Sequence, residues 1–489
     1  MASGRSAEPA EPAEPSEPAG PSGDHGDPAP QANGSDASTA LGGVLAVVIT
    51  GSVMSVLDVT IVNVALRSLT RAFGAPLETV QWTATAYTLA LATAVPTTAW
   101  AMARFGARRT YLTALTLFTL GSLLAACAWD IASLIVFRAF QGLGGGLLVP
   151  VGMAMAMTAA DRERMGRTMA LLGLPVLVGP VAGPVLGGWL IDAASWRWVF
   201  LVNLPVGALA LILAAKLLRP DAPRGTAPPA ELDVPGLLML SPGLALLLFG
   251  LARGGAQGDI AATSALAPTL AGAALVVGFV HRSLTARRPL LDLRLLKNRT
   301  FAVGIGTLAP FTCGYFGSLL LGPVYWQQVR GWSATATGLL GVPVGLAVAT
   351  TMQIAARRID RTSPRALIRA GVAVGALGMA LTGVQIGAEG VPAWRLTCAT
   401  VVMGIGSGMV LMPTMATATR DLPVERVAAA STMLTINSQV CAAAGTALVS
   451  VVLGSAGPGP SGFRVAYLVA AALLALALIP ASWLPRRRR

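Results

Sequence analysis

The sequence predicts an all-α polytopic membrane protein: two six-helix repeats with two inserted central helices, fourteen transmembrane helices in all. Three observations predict it. First, the 489 residues are 54% hydrophobic and only 12% charged, with mean hydropathy +0.68; soluble domains carry about 25% charged residues. Second, apolar runs of about 20 residues, the length that spans a bilayer, recur from residue 41 to residue 484. Third, of 35 Lys and Arg residues, 27 fall in loops or at span ends on one side of this assignment and 7 on the other, with Arg138 deep inside a span. A missed or invented helix would scramble that alternation. By the positive-inside rule the protein sits in the cell membrane with both termini cytoplasmic.

Residues 1–40 stand apart. They carry the tandem Glu8-Pro9-Ala10, Glu11-Pro12-Ala13, Glu14-Pro15-Ser16, Glu17-Pro18-Ala19, which reads as a disordered, acidic, Pro-rich cytoplasmic tail. The tail lacks the basic start and apolar core of a cleavable signal peptide, so the first helix is expected to act as its own insertion signal. The N-terminal six-helix bundle, 41–217, has spans at 41–66, 79–103, 109–128, 131–157, 167–190 and 198–217. Two inserted helices follow within 218–300, at 234–252 and 262–281, interrupted by Pro242 and Pro268. The C-terminal six-helix bundle, 301–484, has spans at 301–323, 335–356, 366–387, 396–417, 432–454 and 465–484. Residues 485–489 form a basic cytoplasmic tail.

The net charge of +13 belongs to these loops. It is orientation signal rather than a patch for nucleic acid. All ten tryptophans lie near span ends, as in an interfacial aromatic belt. Cys127, Cys313, Cys398 and Cys441 lie in apolar stretches without paired spacing, so reduced packing residues are expected and no metal site.

An internal echo supports the repeats. Gly142-Leu143-Gly144-Gly145-Gly146-Leu147-Leu148-Val149-Pro150 is matched by Gly404-Ile405-Gly406-Ser407-Gly408-Met409-Val410-Leu411-Met412-Pro413, with one extra residue before the proline. Each is followed by a charged loop, Asp161-Arg162-Glu163-Arg164 and Arg420-Asp421 with Glu425-Arg426. Parallel six-helix repeats are a transporter architecture.

Two charges lie deep within spans, away from their ends. Asp58 occupies the first, in Leu57-Asp58-Val59-Thr60-Ile61-Val62-Asn63, where a carboxylate costs roughly 2.5–3.5 kcal/mol on insertion scales. It is roughly 12 Å from the outer end of its helix, and Arg138 roughly 10 Å from the outer start of the fourth, at 1.5 Å per residue. Charges of opposite sign at similar depth pair and face the protein interior. Gln141, at i+3 from Arg138, shares its helix face. The pair suits a proton-responsive site or a purely structural ion pair. In the fifth span, Gly179, Gly183 and Gly187 are four apart and form a smooth stripe, within a block containing Pro180, Pro184 and Gly188.

These blocks together resemble the major facilitator superfamily, and specifically its fourteen-helix drug:proton antiporter branch. Leu57 through Leu66 is similar to the branch's first-helix motif. Phe137-Arg138-Ala139-Phe140-Gln141-Gly142 is similar to its fourth-helix motif, whose arginine is linked to proton transfer. Gly179-Pro180 through Gly187-Gly188 resembles the antiporter motif. Trp196-Arg197-Trp198-Val199-Phe200 with Asn203 and Pro205-Val206-Gly207 resembles the entry to helix 6, and Pro289-Leu290-Leu291-Asp292-Leu293 the segment before helix 9. The gate loop keeps its basic half, Arg104, Gly106, Arg108 and Arg109. Ala99 and Ala103 replace the family's Gly and Asp, and Arg67 replaces a proline. In the family that Asp helps latch the cytoplasmic gate.

The resemblance implies a proton-coupled antiporter that exports an apolar or amphipathic small molecule, such as a drug, antibiotic or secondary metabolite. Protons and the lipid bilayer are its partners, the proton gradient its energy source, no cofactor is needed, and a monomer is expected. Polar candidates for the substrate cavity are Gln141, Gln327, Gln328, Gln353, Asn437 and Gln439; each amide equally suits a helix–helix hydrogen bond. The alternative is a proton-independent facilitator or importer, with which the missing carboxylate is compatible. Lys216 and Lys297 are the only lysines and neither follows a Gly-rich loop, so no P-loop for ATP is present. The only histidines, His25 and His281, lie in the tail and at a span end, which argues against an enzyme.

Overall fold

The computed structural model describes residues 34–160, 165–221, 231–287, 289–332, 334–358, 362–387, 390–457 and 459–485, with Met1 and Gly4. Among the described residues every regular element is helical. The first group comprises α1 (Gly34–Phe73), α2 (Leu77–Ala94), α3 (Thr98–Phe105), α4 (Ala107–Ala126), α5 (Ile131–Ala159), α6 (Met165–Ala193), α7 (Trp198–Leu201) and α8 (Asn203–Leu217). Next come α9 (Val234–Gln257) and α10 (Thr263–Thr285). The last group comprises α11 (Arg299–Val324), α12 (Ala334–Arg358), α13 (Pro364–Ile386), α14 (Ala393–Gly408), α15 (Leu411–Thr419), α16 (Val424–Ala456), α17 (Pro460–Leu476) and α18 (Leu478–Ala481).

Eleven stretches among the described residues are long and apolar enough to cross a membrane. The expected spans at 79–103, 109–128 and 167–190 are helical, as α2 with α3, α4 and α6, but are not among those eleven. Gln81, Thr83, Thr85, Thr88 and Thr93 dilute the apolarity of α2, and α4 opens on Arg108-Arg109-Thr110.

Prolines explain the interruptions. A proline has no N–H and its ring crowds the carbonyl four residues earlier. Accordingly α7 ends at Leu201, four before Pro205; α14 gives way around Met409, four before Pro413; and α17 ends at Leu476, four before Pro480. Pro96 sits in the short 3-10 turn Val95–Thr97 between α2 and α3. Pro242 and Pro268, expected to interrupt the inserted helices, lie inside unbroken α9 and α10. Membrane helices tolerate such prolines because neighbours re-satisfy the freed backbone. α1 begins at Gly34 rather than at the expected 41, because its first turns are polar and an apolarity reading stops short of them. Of the tryptophans, Trp129, Trp189, Trp394 and Trp483 are exposed near helix ends as expected. Trp196 and Trp326 are instead core residues, against Phe73 and Phe200 and against Tyr325 respectively. All four cysteines are free thiols.

Helix packing follows one scheme in both groups. α1 packs on α6 and α8, α2 on α5, and α4 on α5 and α8; α11 packs on α16 and α17, α12 on α14, and α13 on α14 and α17. The glycine blocks sit at equivalent seams. Gly142 and Gly146 meet the α2 backbone while Gly144 meets α4; Gly404 and Gly408 meet α12 while Gly406 meets α13. The groups touch through α6 with α12 and α15, and through α16 with α3 and α5. One link there is the Ser431 hydroxyl donating to the Pro150 carbonyl at 3.2 Å.

The inserted helix α9 bridges the groups, packing on α2 and α16 as well as on α10. The Ser241 hydroxyl donates to the Thr93 carbonyl of α2 at 2.8 Å. Asp233 anchors the pair. It caps α9 through the Gly236 N–H at 3.0 Å, accepts from Arg282 of α10 at 2.7 and 2.9 Å, and accepts the Leu290 N–H at 3.2 Å. Burial raises its pKa, but the Arg282 and backbone donors outweigh this and hold it below the ordinary carboxylate value. The anchor's stabilisation is therefore present above the unfolded carboxylate range and is lost as pH falls through the depressed folded value. Asp233→Asn is expected to lower stability at pH 7 by about 1–2 kcal/mol, with the difference from the natural protein vanishing in acid. Thermal melts at both pH values check this.

Candidate functional site: a buried ion pair among the N-terminal helices

Asp58, Arg138 and Gln141 converge between α1 and α5. α5 starts where it does because Asp130 caps it, accepting the Ser133 N–H at 2.7 Å while its own N–H donates to the Ser133 hydroxyl. That start sets Arg138 two turns into the helix. Arg138 Nη1 donates to Asp58 Oδ2 at 2.6 Å and to Gln141 Oε1 at 2.6 Å; its Nε donates to the Thr83 carbonyl at 3.1 Å. The other carboxylate oxygen, Oδ1, accepts from the Gln141 and Asn203 amides, each at 2.9 Å. Both amides also reach the Ser122 hydroxyl, at 2.7 and 3.3 Å. The Arg138 guanidinium lies 4.2 Å from the Tyr87 ring centre and 5.7 Å from that of Phe200. The Tyr87 hydroxyl is 3.3 Å from that of Ser55.

Asp58 is 0% and Arg138 1% exposed. Two charges survive such burial only with excellent geometry and satisfied remaining sites, and here every carboxylate oxygen has a donor. The carboxylate of α1 bonds directly to α5 and α8, and through Arg138 and the two amides the network extends to α2 and α4, five helices of the first group in all.

The pair at matching depth was legible in the sequence. Ser122, Thr83, Tyr87 and Asn203 were not singled out as site residues. Asn203 had a signal, a polar amide inside the apolar start of α8; Ser122 and the Thr83 carbonyl had none. Gln141, a cavity candidate, takes the alternative role instead: it is fully buried with both ends of its amide engaged.

The glycine stripe of α6 lies against the Asp58 helix. A Cβ at Gly179 would meet Val56, one at Gly183 would meet the Thr60 side chain, and one at Gly187 would meet Ile61. The Thr60 hydroxyl donates to the Gly179 carbonyl at 3.1 Å. Gly188 faces open space. The side chains of Pro180 and Pro184 lie outside the described residues.

At the gate loop, Gly106 adopts φ +91°, in the region that favours glycine. The Asp221 carboxylate sits against it, accepting the N–H groups of Arg108 at 3.0 Å and Arg109 at 3.1 Å. A carboxylate from beyond α8 thus caps α4, and Arg108 in turn donates to the Ala215 carbonyl of α8 at 2.7 Å. Arg104 is half-buried and Arg109 exposed. The sequence did not point to Asp221 because the contact spans 113 residues. Of the other cavity candidates, Asn437 has a buried amide nitrogen without a partner, Gln353 and Gln439 are half-buried, and Gln327 and Gln328 are exposed.

The chain matches the Major Facilitator Superfamily over residues 48–446. It belongs to the major facilitator superfamily. It is 43% identical over 410 residues to the Multidrug resistance protein B homolog of Mycobacterium tuberculosis (strain ATCC 25618 / H37Rv), covering 83% of this chain and 75% of that one. It is 32% identical over 415 residues to the Putative multidrug resistance protein MdtD of Serratia proteamaculans (strain 568), covering 84% and 85%. Two solved structures share the fold. The human organic anion transporter MFSD10 superposes with TM-score 0.63 at 17% identity, covering 90% of this chain and 99% of that one. The proton:xylose symporter XylE superposes with TM-score 0.64 at 16% identity, covering 92% and 97%. This major facilitator protein is thus a membrane transporter for small molecules, not an enzyme.

Proposed function

We propose that this protein is a proton-coupled antiporter that exports an apolar or amphipathic small molecule, such as a drug, antibiotic or secondary metabolite. The observation that carries the reading is the fully buried Asp58 carboxylate, salt-bridged to Arg138 of α5 and itself carried on α1, the helix against which the α6 glycine stripe packs. The multidrug-resistance names of relatives at 43% and 32% identity support the substrate class.

The coupling follows from charge. Protonation of Asp58 removes the attraction to Arg138 and weakens the charge-assisted bonds from Gln141 and Asn203. Arg138 keeps the Thr83 carbonyl, the Gln141 oxygen and the Tyr87 ring, so it stays solvated by protein. The ties that hold α1 to α5 and α8 loosen, and α1 can shift along the smooth face of α6. A proton that binds one arrangement better than the other biases the equilibrium between them by that difference in affinity. Substrate then alternates with the proton at a mostly apolar cavity between the two halves, with Asn437 and Gln439 among its polar groups.

The architecture in this reading is fourteen helices: two six-helix repeats, 41–217 and 301–484, with α9 and α10 inserted. The identical packing scheme of the two groups and the equivalent seams of Gly142, Gly144 and Gly146 and of Gly404, Gly406 and Gly408 support it. The basic loops support a cell-membrane protein with both termini in the cytoplasm, by the positive-inside rule. Contacts between the halves then lie on the cytoplasmic side, where Gly173 meets Met352 and Met412 and Ser431 meets Pro150. Ala103 in place of a carboxylate favours a second reading, a facilitator without coupling.

Imposed pH gradients separate the two. A compound chosen from a susceptibility panel in an efflux-deficient host is followed in proteoliposomes. An antiporter's initial rate rises when protons run against the substrate and falls when the gradient is reversed. A rate indifferent to the gradient contradicts antiport.

A further inference from the structure

The second half holds a cavity of about 570 Å³ lined by Arg299, Thr300, Arg365, Ser482 and Trp483. It is far in sequence and helix group from the Asp58 network. Arg299 is the first residue of α11, and Arg365 lies in the first turn of α13. Among the described residues, the ion pairs are Arg138–Asp58 and Arg282–Asp233, so no described carboxylate pairs with either cavity arginine.

Two guanidiniums lining one cavity repel each other unless an anion sits between them, and their planar forks match phosphate oxygens. The start of α13 adds to this. Ser363 makes no side-chain cap bond there, and a helix start without such a cap favours a nearby anion. Thr300 contributes a hydroxyl.

The position says where the anion comes from. Three membrane-length stretches have ends at this cavity: Arg299–Val329 and Pro364–Ile386 begin at it, and Pro460–Ala481 stops beside it. Trp483 is 58% exposed on its rim, as an interfacial indole is. The cavity therefore lies at headgroup level. In sequence, Arg486 to Arg489 follow directly.

We propose that this cavity binds the phosphate of an anionic bilayer phospholipid, with Arg299 and Arg365 as its ligands. The site is independent of the proton-coupling reading. With the termini in the cytoplasm, as proposed above, it gives the C-terminal half a fixed contact with the leaflet that carries negative charge.

The test is native mass spectrometry of the purified full-length chain, titrated with phosphatidylglycerol, with phosphatidylcholine, and with inorganic phosphate as competitor. The expected result is preferential retention of phosphatidylglycerol, weakened about thirtyfold in R299Q/R365Q. If the double variant does not fold, R299Q and R365Q singly should each weaken retention about fivefold. Equal retention of the two lipids, or retention unchanged by the substitutions, would overturn the proposal. Displacement of phosphatidylglycerol by millimolar inorganic phosphate would overturn the lipid source and assign the cavity to a soluble anion.

Discussion

Arg138→Ala is expected to abolish folded yield, and more severely than any other single change in the network. It strands the Asp58 carboxylate, 0% exposed, with only the Gln141 and Asn203 amides. Removing one partner of a buried pair costs roughly 3–5 kcal/mol, against total stabilities of about 5–15 kcal/mol. It also opens a void beside the Tyr87 and Phe200 rings, which the guanidinium contacts. Asp58→Asn combined with Arg138→Gln removes both charges and keeps hydrogen-bonding groups in place. That double variant should recover yield and melting temperature without recovering gradient-driven transport. Fluorescence-detected size exclusion and thermal melts check the first part. Wild-type stability of Arg138→Ala would mean that the ion pair is not what holds these helices together.

Gly183→Ala is expected to eliminate transport with a single added methyl. Its Cβ would enter the Thr60 side chain, whose hydroxyl donates to the Gly179 carbonyl. Relief requires α1 and α6 to separate at the turn above Asp58. Overpacking of this kind costs about 1–3 kcal/mol, and the transport defect should exceed the stability defect because the seam carries the proposed movement. Gly188→Ala is the control. A Cβ there meets nothing within 4 Å, so stability should stay equal or rise by up to ~1 kcal/mol through helix propensity. Equal effects of the two substitutions would remove the case for a specific seam. Transport rates and melts of both variants decide it.

How much of this was legible in the sequence differs by feature. Eleven of the expected spans followed from apolar runs, because a bilayer demands a fixed length of hydrocarbon-compatible chain, whereas the helices at 79–103, 109–128 and 167–190 are not among the stretches apolar enough to meet that demand. The ends did not. α1 begins earlier than the apolar run because polar residues also form helix, and α7, α14 and α17 end four or five residues before prolines that an apolarity count ignores. Pro242 and Pro268 show the converse, since α9 and α10 run through them. The Asp58–Arg138 pair was legible because a charge in an apolar helix has few ways to be tolerated. The rest of its shell was not. Ser122 is an ordinary small residue in sequence, and Thr83 contributes only a backbone carbonyl. Asp221 illustrates the same limit at the gate loop. The lost carboxylate at Ala103 was visible, but an acid capping α4 from beyond α8 is a consequence of tertiary packing.

The measurement that bears most directly on the central claim is proton movement driven by a substrate gradient alone. Proteoliposomes with a trapped pH dye, and no initial pH difference, are given a gradient of the transported compound. The natural protein should move protons opposite to the substrate, visible as a change of internal pH. Asp58→Asn should show no substrate-driven proton movement, whether or not substrate still equilibrates, while remaining folded. Proton movement by Asp58→Asn at the natural ratio of protons to substrate would contradict the assignment of coupling to Asp58.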